Sequence, residues 1–183
     1  PATEEPEDLA AASFANLWMN DMFLDAAVKG AFPQELVATF EEDGVLWNAT
    51  TEELQLIGEN TIDVLGVNFY HPNRVQRPSV SADSLAVDWM PSRYFEEYAM
   101  PGRRMNVDKG WEIYPQSLYD IALNIRDNYG NIPWFVSENG MGVSREERYL
   151  NTEGMIEDDY RIQFIQEHLY WVAKGIEEGS NCF

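Results

Sequence analysis

The sequence predicts an α/β fold built on a parallel sheet, of which its 183 residues hold only a part. Three observations carry that reading. Short, nearly continuous apolar runs at 63–69 and 132–136 read as buried strands. Stretches with helical periodicity stand before, between and after them, the alternation expected of a parallel sheet. Two strands and the start of another cannot close such a sheet, because each parallel strand needs neighbours on both sides and helices on both faces. The remainder is expected from sequence outside these residues.

Pro6, followed by Glu7 and Asp8, is a helix start: proline lacks the N–H that a first turn leaves unpaired, and acids favour the positive end of the helix dipole. Leu9, Ala10, Phe14, Leu17, Trp18 and Met22 then recur at helical spacing, predicting a helix over 6–24. The stretch Gly30-Ala-Phe-Pro33 breaks it, and a short helix follows over 34–42. Thr50 with Glu53 three residues on is a capping-box pattern that opens a helix to about Asn60. Ile62, Val64, Leu65, Val67 and Phe69 make the first strand, placed at 63–69 and stopped by Pro72. Residues 71–110 carry scattered Pro, Gly and Arg with no sustained period and read as a long loop, a candidate binding segment.

Pro115, then Leu118, Ile121, Ala122, Ile125 and Tyr129 before Gly130, define the next helix. The second strand is placed at 132–136, with proline near its entrance where a missing N–H costs least. A polar loop is expected at 139–156. The last helix spans about 158–178, with Ile162, Ile165, Leu169, Val172 and Ile176 spaced 3, 4, 3 and 4 and Gly179 ending it. A new apolar segment then begins, and the chain opens on Pro1-Ala-Thr3 without an initiator Met. Residues 1–183 are accordingly expected to be one incomplete segment of a longer chain, with no internal domain boundary.

Twelve Lys and Arg against 32 Asp and Glu give a net charge of −20 and a pI near 4.2. Such a surface repels phosphate backbones and anionic lipid headgroups, and no Lys/Arg run forms a local exception, so neither nucleic acid nor membrane is an expected partner. No stretch of about 18 apolar residues is present, and the first thirty lack a signal-peptide pattern. A hydrophobic content of 45% is enough for a packed core and argues against disorder. The single Cys182 can form no internal disulfide, which suits a reducing cytoplasm.

Ligands of parallel sheets sit at the carboxyl ends of the strands, which directs attention to Asn68-Phe-Tyr-His71 and Ser137-Glu-Asn-Gly140. Glu138 leaves an apolar strand and enters a turn. Spacing alone leaves two readings of it open: an acid at a strand end before an ordinary Asn-Gly turn, or a carboxylate held rigidly toward a cleft. Tyr70, at the matching place on the earlier strand, is either a plain strand-edge tyrosine or a hydroxyl donor to that carboxylate.

The segment Trp134-Phe-Val-Ser-Glu-Asn-Gly140 resembles the strand-seven signature of the family 1 β-glycosidases. Leu65-Gly-Val-Asn-Phe-Tyr70 resembles their strand-six signature, and Gly110-Trp-Glu-Ile-Tyr-Pro115 the segment between the two. Asp158-Asp-Tyr-Arg-Ile162 and His168-Leu169 fit the helix after strand seven, so the likeness runs in order over nearly all of the chain. Within the family, Pro1-Ala-Thr-Glu-Glu-Pro-Glu-Asp8 and Met100-Pro-Gly-Arg-Arg-Met-Asn106 most resemble the branch that hydrolyses 6-phospho-β-glucosides.

This resemblance implies part of a (β/α)8 TIM barrel, about strands six and seven with flanking helices, and a cytoplasmic retaining glycosidase without metal or organic cofactor. In such an enzyme two carboxyl groups about 5–5.5 Å apart flank the bond, one attacking the anomeric carbon and one protonating the leaving oxygen. The match makes Glu138 the nucleophile and Tyr70 its orienting donor. It makes Asn68 a contributor to the same strand end and Trp111 an aromatic lining the aglycone side, where an indole face stacks on a sugar or aryl group. The family's acid/base carboxylate lies in an Asn-Glu-Pro motif on strand four, and that motif does not occur in this sequence. Its phosphate-binding residues follow strand eight. These 183 residues alone are therefore expected to be inactive, and their open apolar edges to favour self-association.

A non-catalytic carbohydrate-binding or interaction module of barrel-like sequence is the alternative, with the six tryptophans as sugar platforms. Other readings are weaker. Gly140-Met-Gly142 lacks the third glycine and the helix start of a dinucleotide loop. His71, His168 and Cys182 stand apart, where a zinc site needs three or four ligands together; His168 is expected to be a packing or capping residue on its helix. The acidic clusters Glu41-Glu42-Asp43 and Glu157-Asp158-Asp159 lack the ligand spacing of a calcium loop and read as solvated helix ends.

Overall fold

A computed structural model describes residues 1–80 and 89–183. They divide into two compact units, Pro1–Ile62 with Asn73–Pro101 and Asp63–Pro72 with Gly102–Phe183.

In the first unit, α1 (Pro6–Asn16) starts at the expected proline but does not end near 24. The chain continues through a π-helical turn (Leu17–Asp21), α2 (Met22–Leu24) and a second π-helical turn (Asp25–Lys29). Gly30 stops it with φ of 71°, a left-handed conformation that glycine adopts without penalty. A Cβ on Gly30 would also lie 2.8 Å from the Gly58 Cα, so the close approach of these two segments requires glycine a second time. α3 (Gln34–Glu42) and α4 (Thr51–Glu59) fall where periodicity placed them. The capping box forms: the Glu53 N–H donates to Thr50 Oγ1 at 3.2 Å, and the Thr50 N–H donates to Glu53 Oε2 at 2.8 Å.

Phe14, Leu36 and Phe40 are the buried centre of this unit, with Trp18, Trp89, Tyr94 and Phe95 packed around them. Phe14 stacks on Tyr94 with ring centroids 3.9 Å apart, and Phe40 meets Trp89 edge-on at 5.1 Å. One acidic residue read as solvated belongs to this cluster instead. Asp43, just past α3, accepts hydrogen bonds from Trp89 Nε1 and the Tyr94 hydroxyl, half-buried aromatic donors whose acceptor only a tertiary neighbour can supply. Burial, with the Asp43 carboxylate, pushes the Tyr94 phenol up to about 12.

The expected loop 71–110 is partly ordered into short pairs, except for residues 81–88, which lie outside the described residues. β2 (Val75–Gln76) pairs antiparallel with β3 (Glu96–Glu97) in the first unit, where a 3₁₀ turn (Pro91–Arg93) precedes β3. Two-residue strands leave no alternation to read, which is why periodicity did not find them. Asp8 on α1 ties this pair down by accepting from the Arg77 N–H at 2.9 Å and Thr3 Oγ1 at 2.6 Å. Those bonds, the Arg77 one foremost, hold its carboxyl below the usual range.

In the second unit β1 (Leu65–Asn68) runs parallel to β6 (Trp134–Glu138). β6 lies two residues later than expected. Pro133 has no N–H to offer the ladder but its carbonyl accepts from Leu65 N at 2.9 Å, so pairing begins at Trp134 and carries Glu138 into the strand as its last residue. Neither strand is buried on both faces; Phe135 keeps 37% of its surface. Among the described residues β1 pairs with β6 alone. On the other side of β6, Trp134 forms a parallel bridge with Cys182, the expected start of a further strand.

α5 (Ser117–Asn128) and α6 (Asp159–Glu177) pack together in this unit. β4 (Met105–Asn106), within the stretch expected to be loop, and β5 (Trp111–Glu112), just past it, form an antiparallel hairpin. Trp134 is completely buried and its Nε1 donates to Ser180 Oγ at 2.9 Å, which in turn donates to the Ala122 carbonyl at 3.0 Å. His168 is 2% exposed on α6, as its expected packing role requires; its Nδ1 donates to the Phe164 carbonyl at 2.7 Å and its ring lies against Phe164 and Phe69. Burial lowers its pKa.

The tightest helix contact is at Gly175, where a Cβ would stand 2.5 Å from Ala122 Cβ. Gly175→Ala should destabilise the protein by about 1–2 kcal/mol, because overpacking outweighs the gain in helix propensity. The expected readout is a lower urea midpoint with an unchanged slope.

Candidate active site

The ladder register sets two chemically active side chains side by side. Leu65, Gly66 and Val67 stand opposite Trp134, Phe135 and Val136, but Asn68 stands opposite Glu138, with Ser137 bulged out between. A bulge re-aims the side chains around it. Immediately beyond, the Phe69 N–H donates to the Glu138 carbonyl at 2.9 Å, and Asn139 Nδ2 donates to the Phe69 carbonyl at 2.8 Å. Both strand ends are thus stitched together past the point where the regular ladder stops.

Tyr70 then donates its hydroxyl to Glu138 Oε2 at 2.6 Å. That bond, partial burial and the carboxylate's charge all favour the neutral phenol and raise its pKa. The Asn68 side chain bonds the residue before Glu138: its Oδ1 accepts from Ser137 Oγ at 2.6 Å. It braces the bulged residue next to Glu138. Trp111, at the start of β5, lies 5.6 Å from the Tyr70 ring and stacks on His71 at 4.8 Å with planes 26° apart. Lys109 Nζ approaches the same indole at 5.9 Å, within cation–π range.

All four residues singled out from the sequence, Asn68, Tyr70, Trp111 and Glu138, therefore meet in one unit at the carboxyl ends of the parallel strands. Sequence reasoning assigned no role at this site to Ser137, Asn139 or His71, whose signal was their place in the two strand-end runs, and passed over Lys109, which had none. The arrangement offers an exposed carboxylate with a fixed hydrogen-bond donor and an aromatic wall beside it. Among the described residues no three His, Cys, Asp or Glu side chains are grouped to hold a metal ion, and no helix is long and apolar enough to cross a membrane.

The model of Glycosyl hydrolase family 1 matches residues 1–182. The chain belongs to that family. It is 48% identical over 181 residues to the 6-phospho-beta-glucosidase GmuD of Bacillus subtilis, covering 99% of this chain and 39% of that protein. It is 34% identical over 189 residues to the bifunctional beta-D-glucosidase/beta-D-fucosidase of Bifidobacterium breve, covering 95% and 38%. Among solved structures, the family 1 β-glucosidase from Thermotoga maritima superposes with a TM-score of 0.80 at 24% identity, covering 100% of this chain and 37% of that one. The psychrophilic β-glucosidase BglU from Micrococcus antarcticus gives 0.76 at 27% identity, covering 100% and 40%. The chain spans about two fifths of the length of the curated family 1 relatives it matches, and its fold is part of a (β/α)8 barrel.

The Tyr70–Glu138 bond makes a spectroscopic prediction. The Tyr70 ¹³Cζ resonance should titrate above the ordinary phenol pKa of about 10 and move back toward it in Glu138→Gln. A phenol whose pKa is raised on folding contributes stability below about pH 10, which is lost as pH rises through the raised value.

Proposed function

We propose that this chain is a single segment, holding barrel strands six and seven as β1 and β6, of a retaining β-glycosidase that hydrolyses β-glucosides, most specifically 6-phospho-β-glucosides. The observation that carries the reading is the 2.6 Å bond from Tyr70 to Glu138 at the carboxyl ends of two parallel strands, with Trp111 beside it. The phosphorylated substrate class is supported by the 48% identity to a protein named a 6-phospho-beta-glucosidase.

In this mechanism Glu138 attacks the anomeric carbon as the aglycone oxygen leaves with a proton from an acid outside these residues. A glycosyl ester on Glu138 results, which water then hydrolyses. Attack requires an ionised carboxylate whose lone pair faces the sugar. Tyr70 supplies a single donor that fixes the carboxylate's rotation while leaving its other oxygen free to react. Asn68, through Ser137, keeps the strand end from twisting, and Trp111 receives the aglycone on its ring. The reaction as written needs no metal or organic cofactor, and the site faces the cytoplasm. With a net charge of −20, nucleic acid and anionic membranes are not its partners.

In the full-length enzyme, Glu138→Gln should lower kcat on the order of 10⁴-fold or more while leaving the fold intact. Tyr70→Phe should lose roughly 10–200-fold, the worth of one hydrogen bond to a charged group. A 2-deoxy-2-fluoro glucoside with a good leaving group should add one sugar to the Glu138 peptide by mass. Normal turnover by Glu138→Gln would show the assignment to be wrong.

The 183 residues by themselves hold the proposed nucleophile without its partner acid. Without an acid/base carboxylate they should show no glycosidase turnover. Their exposed apolar residues at the strands, Val64 just before β1 and Phe135 in β6 among them, should make them self-associate in sedimentation. Clear activity from a verified 21.0 kDa species would overturn that.

A further inference from the structure

We propose that Asn106 is a positioning residue of this site, acting through Trp111 on the aglycone. The inference rests on the glycosidase reading above. Asn106 ends β4, directly opposite Trp111 in the hairpin ladder, and is only 3% exposed. Its side chain makes two bonds that together use both ends of the amide. Oδ1 accepts from the Asp108 N–H at 3.2 Å, shaping the hairpin turn, and Nδ2 donates to the Gly142 carbonyl at 2.9 Å. Gly142 belongs to the loop that follows Glu138 in the chain.

Two further contacts join the same pair of segments. A Cβ on Gly142 would lie 2.4 Å from Lys109 Cε, so the lysine stem that reaches Trp111 runs flush along this loop. Asp108 pairs with Arg148 farther along it. The exposed ion pair contributes little by itself. The buried amide is different, since losing one partner of a buried bond leaves the other unsatisfied. Asn106 thus fixes where the Trp111 hairpin stands relative to the backbone carrying Glu138. No other side chain could replace it simply: aspartate keeps the turn bond but sets an oxygen against the Gly142 carbonyl.

In a retaining reaction the aglycone departs in the first step, which gives a signature that general destabilisation lacks. In the full-length enzyme, Asn106→Asp should lower kcat/KM about tenfold, mainly through KM, for a 4-nitrophenyl 6-phospho-β-glucoside. The methyl 6-phospho-β-glucoside, with almost no aglycone to stack, should change less than about twofold. The hydrolytic release of a trapped 2-fluoro glycosyl enzyme should be unchanged. Gly142→Ala, which displaces the Lys109 stem from the other side of the contact, should give the same pattern more weakly and serves where Asn106→Asp folds poorly. Equal losses on both substrates, slowed release of the trapped sugar, or no loss at all would overturn the proposal. Failure of the underlying glycosidase reading shows separately, as undiminished turnover by Glu138→Gln.

Discussion

The parallel ladder between Leu65–Asn68 and Trp134–Glu138 brings together two stretches of chain about seventy residues apart, and everything at the site depends on its register. A parallel pair has no tight turn to set that register, so side-chain fit and the groups at the strand ends must do so. Here one end is set by Pro133, which accepts from Leu65 but cannot donate. The other is set by the bulge at Ser137, which Asn68 holds by a side-chain bond. A slip of one residue would turn Tyr70 away from Glu138.

The support beneath the ladder is a short chain of buried hydrogen bonds. Trp134 has no surface in water, and its indole N–H would be costly to leave unpaired. Ser180 answers it and donates its own hydroxyl hydrogen bond to the Ala122 carbonyl, linking strand β6, the segment after α6 and helix α5 in one line. Gly175 lets α6 close on α5 at the same level, and His168 carries the packing from α6 to Phe69, the residue between Asn68 and Tyr70. The Glu138 carboxylate therefore stands on a strand whose buried end is held by several independent contacts, the arrangement that precise positioning requires.

The loops beyond the strands are held by polar bonds more than by apolar burial. Arg161 on α6 donates to the Met141 carbonyl and pairs with Glu146 and Asp158, so the segment after Glu138 is gripped from the helix side. Asn106 grips it from the hairpin side. Polar bonds to distant segments can order a loop that has no hydrophobic period, as Arg104, Asn106 and Asp108 do within 102–116.

Much of this was legible in the residues. Helix α3, the capping box at Thr50, helix α6 with its glycine stop and the alternation of strand and helix follow from local chemistry: periodicity, proline, glycine and caps act over a few residues and leave their pattern in the sequence. Glu138 and Tyr70 were visible as polar residues at strand ends, and the Ser-Glu-Asn-Gly run carried the family likeness. The two π-helical turns, the two-residue strands and the shift of β6 were not: a π turn hides within a helical pattern, two residues leave no alternation to read, and the start of β6 is decided by backbone partners far along the chain. The same holds for Asp43, whose acceptor role exists only once Trp89 and Tyr94 are folded against it, and for Asn106, an unremarkable asparagine until Gly142 arrives. The sequence by itself determined the main helices, the two parallel strands, their order and the chemical groups at the strand ends. Tertiary structure alone decided that Asn68 stands opposite Glu138 and that Trp111 stands beside Tyr70, because a parallel register and a buried polar bond are properties of two distant segments together.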